Sequence, residues 1–183
     1  DSNKPTPDVP DNTQTTKTKY TISGMAWIDE NLNGQRDESE SAKSGIEVLL
    51  YNISAKKFIT DEKGNVVVKT TGEDGKYTFT NIYSGQYYVI FKYDTENYGI
   101  TEYQASNVST SQNNDAIEKL ARIFDETRTI GITNTINLNS NRSDIDIGLV
   151  ENKNFDLKIE QFIEKITVTN KKGTKEYNYN DKK

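Results

Sequence analysis

From residue 20 to residue 150, hydrophobic and polar residues alternate in short runs separated by turn-forming residues. In the run GIEVLLYN, for example, Ile46, Val48 and Leu50 share one face. Alternation with a period of two is typical of strands that bury one face. Such runs occupy residues 20–28, 45–52, 56–60, 66–71, 76–80, 86–93, 128–138 and 143–150. Seven or eight short strands at this spacing predict an all-β sandwich.

A different pattern interrupts the strands in the region of residues 106–125. The stretch NDAIEKLARIF at 114–124 has Asp115 near its start and places Ile117, Leu120 and Phe124 at helical spacing. An acidic start followed by one apolar face predicts a helix. We therefore expect one short inserted helix, packed on an open edge or end of the sandwich.

The two ends of the chain differ in composition from its middle. Residues 1–19 hold all three prolines and a single hydrophobic residue, Val9, so they predict a flexible linker, with a peptide pinned onto the next domain as the alternative. Residues 151–183 carry eight basic and six acidic residues and contain two strand-like stretches joined by KKGT. Since this tail is too short for its own core, it predicts the beginning of a following repeat domain that is truncated here.

The composition narrows the possible chemistry. The chain has no cysteine and no histidine, which excludes disulfides, thiolate metal sites and the commonest general base. Oxygen ligands remain, and these suit calcium or magnesium. A net charge of −5 argues against nucleic acid as a partner. Because no apolar run approaches the ~18 residues of a membrane span, direct membrane insertion is not expected either.

One stretch carries a specific metal-binding pattern. Residues 29–40, DENLNGQRDESE, fill every required position of the calcium-loop template D-x-[DN]-x-[DN]-G-x₅-E. Gly34 stands where the chain must turn sharply, and Gln35 would offer its backbone carbonyl. The predicted calcium ligands are Asp29, Asn31, Asn33, Gln35, Asp37 and Glu40.

Strand-like sequences flank this loop on both sides, where helices would flank a calmodulin-type site. The loop is therefore expected to hold a structural ion rather than to act as a switch. With only three carboxylates, it does not belong to the tightest affinity class, and extracellular calcium near the millimolar range would suffice. The alternative is an acidic, asparagine-rich turn that binds no ion.

The stretches ISGMAWIDENLNGQRDESESAKSGIEVLLY, TTGEDGKYTFTNIYSGQYYVIFKY and SDIDIGLV resemble the B-type repeat (SdrD B-like) domains of Gram-positive serine-aspartate-repeat surface adhesins. The resemblance covers residues 21–150 and implies a transthyretin-like or reversed-Ig β-sandwich. It also implies a calcium-rigidified spacer that adjoins neighbouring repeats on a cell-wall-anchored, extracellular protein. The 106–125 insertion departs from that pattern.

The related collagen-adhesin (Cna B-like) repeats form a Lys–Asn isopeptide bond promoted by a glutamate. The first strand here lacks the lysine, and Phe91 stands about where that glutamate would fall, so no isopeptide is expected in residues 20–150. In the tail, FDLKIEQFI resembles the first strand of an isopeptide-forming repeat. Lys158 is then either the candidate lysine or an ordinary strand lysine.

These observations favour a non-enzymatic, calcium-stabilised spacer of a surface adhesin. The alternatives are a ligand-binding adhesin domain or a pilin-like subunit, with the 106–125 insertion recognising a host matrix protein or glycan. Asp144 and Asp146, on either side of Ile145, are interpreted as a solvated edge or a second ion site rather than a catalytic pair.

Overall fold

A computed structural model describes residues 17–106, 109, 111–152, 165–170 and 173–178. It divides into two compact units, Asp1–Asn152 and Lys153–Lys183. The first unit contains strands β1 (Lys19–Ile28), β2 (Glu47–Asn52), β3 (Lys57–Phe58), β4 (Val68–Thr70), β5 (Lys76–Tyr83), β6 (Gly85–Lys92), β7 (Tyr98–Ile100), β8 (Ala116–Ile123), β9 (Glu126–Thr133), β10 (Ile136–Leu138) and β11 (Ile147–Glu151).

These strands form two sheets. The smaller sheet has the order β5-β1-β11-β7, and the larger has the order β3-β2-β6-β9-β8, with β10 also paired to β6 and β4 to β2. Strands β1 and β11 run parallel, with Ala26 opposite Ile147 and Ile28 opposite Leu149. The predicted all-β sandwich is confirmed.

The main core lies between the two sheets and follows the alternation of the sequence. Ile22 and Ala26 of β1 face Val48 and Leu50 of β2, and all four are fully buried. Tyr77 contributes both its ring and a hydrogen bond from its hydroxyl to the Ile145 carbonyl at 2.7 Å. The alternating residues of the sequence thus identify the inner faces correctly.

The predicted helix at 114–124 is wrong, since residues Ala116–Ile123 form strand β8. This strand pairs with β9 along its whole length, from Ala116 opposite Thr133 to Ile123 opposite Glu126. The apolar face of the expected helix is exposed: Ile117 by 41%, Leu120 by 69% and Phe124 by 53%. A strongly β-forming partner, β9, follows directly in the sequence, so pairing within this hairpin overrides the helical pattern.

The β8–β9 hairpin crosses the outer face of the larger sheet. Its tip, Phe124, packs against Phe58 of β3, at the opposite end of the strand order, with ring centroids 5.2 Å apart. Beneath the hairpin lies an outer cluster in which Leu49 of β2 and Ile90 of β6 pack with Ile123 and Ile130. The outer face of β2 and β6 is therefore covered at Leu49 and Ile90.

Several observed strands differ in their bounds from the predicted ones, because the paired segments are short. The run 128–138 is split into β9 and β10, strand β11 begins at Ile147 rather than at residue 143, and β7 was not predicted. In the second unit, β12 (Lys165–Asn170) and β13 (Gly173–Asn178) form an antiparallel hairpin. Residues 1–16 of the linker predicted at 1–19 lie outside the described residues, and Lys19 already belongs to β1. Lys158 also lies outside the described residues, so the linker and the role of Lys158 stay predictions, as does the assignment of the tail to a following repeat.

Candidate metal centre

The predicted calcium loop connects β1 to β2 and is closed at its base. The Ile28 amide donates to the Ser41 carbonyl at 2.8 Å, and the Lys43 amide donates to the Ala26 carbonyl at 2.8 Å. At the start of the loop, the Asp29 amide donates to the Leu149 carbonyl at 2.8 Å, which continues the pairing of β1 with β11. The loop is thus attached directly to the parallel pair in the smaller sheet.

Asp29, the first predicted ligand, is a buried carboxylate that is only 1% exposed. Its Oδ1 accepts a hydrogen bond from the Asn33 amide at 3.1 Å, and its Oδ2 accepts one from the Gly34 amide at 2.8 Å. The Thr101 hydroxyl also donates to Oδ2. Burial of a charge requires such partners, and three donors on one carboxylate provide them.

Three predicted ligands surround a fourth, Asp37. The side-chain amides of Asn31, Asn33 and Gln35 donate to the Asp37 carboxylate at 2.8, 3.0 and 2.8 Å. These bonds, with those from Asn31 and Asn33 largest, lower the pKa of Asp37, so its carboxylate is ionised at neutral pH. The amide oxygens of Asn31 and Asn33 accept from the backbone of the loop itself.

Glu40 closes the loop with both of its carboxylate oxygens. Oε1 accepts from the Glu30 amide at 3.1 Å and Oε2 from the Asp37 amide at 3.0 Å. Burial, and to a lesser extent repulsion from the Asp29 and Asp37 carboxylates, raises the pKa of Glu40. A divalent cation between like charges would relieve this repulsion.

The donor set fits calcium in chemistry and in number. It offers oxygen atoms only, from two aspartates, one glutamate and two asparagines, together with the carbonyl of Gln35. In the part of the chain that the structure describes, however, no three acidic side chains converge as a ready-made metal group. Because the amide nitrogens of Asn31 and Asn33 point at Asp37, these amides would have to rotate to present oxygen to an ion.

The structure also places residues at the loop that the sequence motif did not indicate. Gly34 (φ 72°) lies so close to Ala105 that an added Cβ would come within 2.8 Å of the Ala105 methyl. The Arg36 amide donates to the Gln112 carbonyl at 2.7 Å, and the Arg36 guanidinium donates to the Ser111 carbonyl at 2.9 Å. These partners are distant in sequence, so no local pattern could have revealed them.

Asp144 and Asp146 have different environments. Asp144 forms an ion pair with Arg142, which lowers the pKa of its carboxyl. Asp146 is buried, accepts from the Met25 amide at 2.8 Å and lies 4.0 Å from the Arg36 guanidinium. Burial raises its pKa to about 7. The interpretation as a solvated edge is therefore wrong for Asp146.

Comparisons with known proteins find a family model and individual relatives that are similar to this chain. The family model described as SdrD B-like domain matches residues 20–149. Serine-aspartate repeat-containing protein C of Staphylococcus aureus strains MRSA252 and Newman is 40% identical over 75 residues, which is 40% of this chain and 7% of that protein. The chain therefore spans only a small part of these relatives.

Among solved structures, the minor pilin GBS52 of Streptococcus agalactiae aligns with a TM-score of 0.47 and 9% identity, over 79% of this chain and 49% of that chain. The major pilin subunit BcpA of Bacillus cereus aligns with a TM-score of 0.35 and 13% identity, over 74% of this chain and 30% of that chain. The part of the chain that the structure describes contains no helical segment that could span a membrane.

Proposed function

The chain belongs to the SdrD B-like domain family, and on that premise we propose that its sandwich is a non-enzymatic spacer stiffened by calcium. The module would stand among neighbouring repeats of an extracellular, cell-wall-anchored adhesin and help to project a ligand-binding head. The observation that carries the proposal is the position of Asp29. It is the first predicted calcium ligand, and its amide is bonded to Leu149 of β11.

The placement of the first and last strands of the sandwich, which lie side by side in the middle of the smaller sheet, explains why this position matters. The chain enters the sandwich on β1 and leaves it on β11, and these strands are parallel neighbours. Tension on both ends would pull the two strands in opposite directions along their length. The pairs between Ala26–Ile28 and Ile147–Leu149 would then bear the load together. An ion that fixes Asp29 would fix the end of this loaded pair.

Calcium would be held by the oxygens of Asp29, Asn31, Asn33, Asp37 and Glu40, with the Gln35 carbonyl. When bound, it supplies positive charge among three carboxylates. The protein's own residues position these ligands. Backbone amides of the loop donate to Asp29 and Glu40 and orient their carboxylates. The backbone hydrogen bonds of Ser41 and Lys43 attach the loop to β1.

The test is the calcium-dependent gain in melting temperature. At about one hundred times Kd, calcium adds about 2.7 kcal/mol to the free energy of unfolding, which corresponds to about 5–11 °C in a domain of this size. The double variant Asp29→Ala/Glu40→Ala should lose this gain. Glu40→Gln, which keeps the size of the side chain, should reduce it without unfolding the buried part of the loop.

The matched control is Asp61→Ala. Asp61 accepts hydrogen bonds from the Lys63 and Asn65 amides in a separate exposed turn. This variant should keep the full calcium response. An equal calcium response in the Asp29/Glu40 double variant would contradict the assignment of the site.

A second candidate function is recognition of a host matrix protein or glycan by the 106–125 insertion. It is favoured by the exposed apolar side chains of the β8–β9 hairpin, of which Leu120 is 69% exposed. Solid-phase binding to matrix proteins and glycans separates the two functions, because a spacer should bind none of them. Binding that is lost in Leu120→Asp would support the adhesin function.

A further inference from the structure

The segment that leads into the β8–β9 hairpin contacts the candidate calcium loop at several points. Its contacts come from both of its described parts. Residues 101–106 supply the Thr101 hydroxyl to Asp29 and the Ala105 methyl against Gly34. Residues 111–116 supply the carbonyls of Ser111 and Gln112 to Arg36, as described above. We call these two stretches the clamp.

Hydrogen bonds to both its amide and its carbonyl hold the backbone of Thr101 in place. Its amide donates to the Gly148 carbonyl at 3.0 Å, and its carbonyl accepts from the Asn114 side chain at 3.0 Å. The residue is 9% exposed, so its hydroxyl has little access to water. Its direction towards Asp29 is therefore set by the protein.

Asn114 joins the two parts of the clamp. It is fully buried, and its amide nitrogen donates to the carbonyls of Thr101 and Ala116, at 3.0 and 2.8 Å. Its oxygen accepts from the amides of Ala116, at 3.1 Å, and Gly148, at 3.3 Å. A buried amide with all its groups satisfied is costly to disrupt, because each broken bond leaves a desolvated polar atom.

We infer that Thr101 is a positioning residue for Asp29 and that the loop and the clamp unfold and fold as one cooperative unit. The chain of bonds runs from Ala116 at the start of β8 through Asn114 and Thr101 to Asp29. The clamp thus supports the loop through Thr101. Only the effect of Thr101 on calcium affinity rests on the proposed function.

The first experiment needs no calcium. Amide hydrogen exchange of the full chain is measured by NMR in EDTA for Thr101→Val, which keeps the shape but removes the hydroxyl. The Gly34 amide in the loop and the Ala116 amide in the clamp should both exchange about tenfold faster than in the parent. Thr101→Ser should restore both rates.

Thr71→Val is the control for losing any buried threonine hydroxyl. Thr71 is 3% exposed, and its hydroxyl bonds to Lys43 and Ile46 rather than to a predicted calcium ligand. Its variant should leave the Gly34 and Ala116 amides at their parent rates relative to the core amides of β6. Faster exchange of Gly34 alone in Thr101→Val, or of neither amide, would overturn the cooperative unit.

The second experiment is calcium titration by calorimetry. Removing a group that orients a metal ligand typically weakens affinity about 10–100-fold, so Thr101→Val should raise Kd at least tenfold, while Thr101→Ser and Thr71→Val stay within twofold. An unchanged Kd in Thr101→Val would overturn the positioning role. If the parent chain takes up no calcium, the proposed function fails, and the exchange experiment alone decides on the clamp.

Discussion

The outer cluster under the β8–β9 hairpin can be tested by shortening Leu49. In a sandwich whose larger sheet had an open outer face, an outward-pointing leucine would be exposed, and its loss would change stability by less than about 0.5 kcal/mol. Here Leu49 is fully buried. Leu49→Ala should therefore reduce the free energy of unfolding by about 2–5 kcal/mol, the usual range for a leucine truncated in a core.

The assay is equilibrium unfolding in urea, together with calorimetry. A loss of about 3 kcal/mol corresponds to a fall in Tm of about 6–12 °C for a domain of this size. Leu120→Ala is the control, since Leu120 lies in the hairpin that covers Leu49 but is 69% exposed, and its loss should be nearly neutral. If Leu49→Ala were as mild as Leu120→Ala, the hairpin would not cover the sheet.

A double-mutant cycle between Phe58 and Phe124 should give a coupling of about 0.5–1.5 kcal/mol.

Three further predictions concern single buried groups. Burial raises the pKa of Asp146 to about 7, against 3.8 for an ordinary aspartate, so its folded form binds a proton more tightly than the unfolded chain does. The contribution of Asp146 to stability is therefore full below about pH 4 and is lost as the pH rises to about 7. In urea unfolding measured in EDTA across this pH range, Asp146→Asn should remove a fall in the free energy of unfolding of up to ~1.4 kcal/mol per pH unit. Parallel pH dependences of the parent and the variant would contradict this. Gly34→Ala should destabilise the domain more than Gly45→Ala in thermal melts, because both glycines have positive φ but an added Cβ meets a close neighbour only at Gly34; equal losses would show that the contact is unimportant. Tyr77→Phe should cost about 1–3 kcal/mol in urea unfolding, since the buried Ile145 carbonyl loses its donor, and a neutral result would mean that this carbonyl finds another partner.

The inner core could be predicted from the sequence because it depends on a local property. Alternation identified β1, β2, β5 and β6, because in each of them the residues that share the inner face are buried. The same reasoning failed at 114–124, where Ile117, Leu120 and Phe124 are compatible with helical spacing. What decides the outcome there is the pairing of β8 with β9, and a single segment does not contain that information.

The candidate site likewise has one part that the sequence predicts and one part that it does not. Its six loop residues lie within a stretch of twelve and match a template, so the sequence names them, and the structure joins them in one hydrogen-bonded loop. Thr101 is separated from Asp29 by 72 positions. It has no motif of its own, and a threonine preceding a loop carries no signal for its role. Only the three-dimensional arrangement of β7 beside β11 brings it to the loop.

The only tryptophan of the chain, Trp27, is fully buried and stands two residues before Asp29. Within the described residues its indole nitrogen has no hydrogen-bond partner, and its ring packs directly over Gly148 of β11. The indole is thus an intrinsic optical probe at the junction of the loop with the parallel strands. Its emission should be blue-shifted in the folded protein and move to the red when that junction opens. Separation of β1 from β11 can therefore be followed without a label.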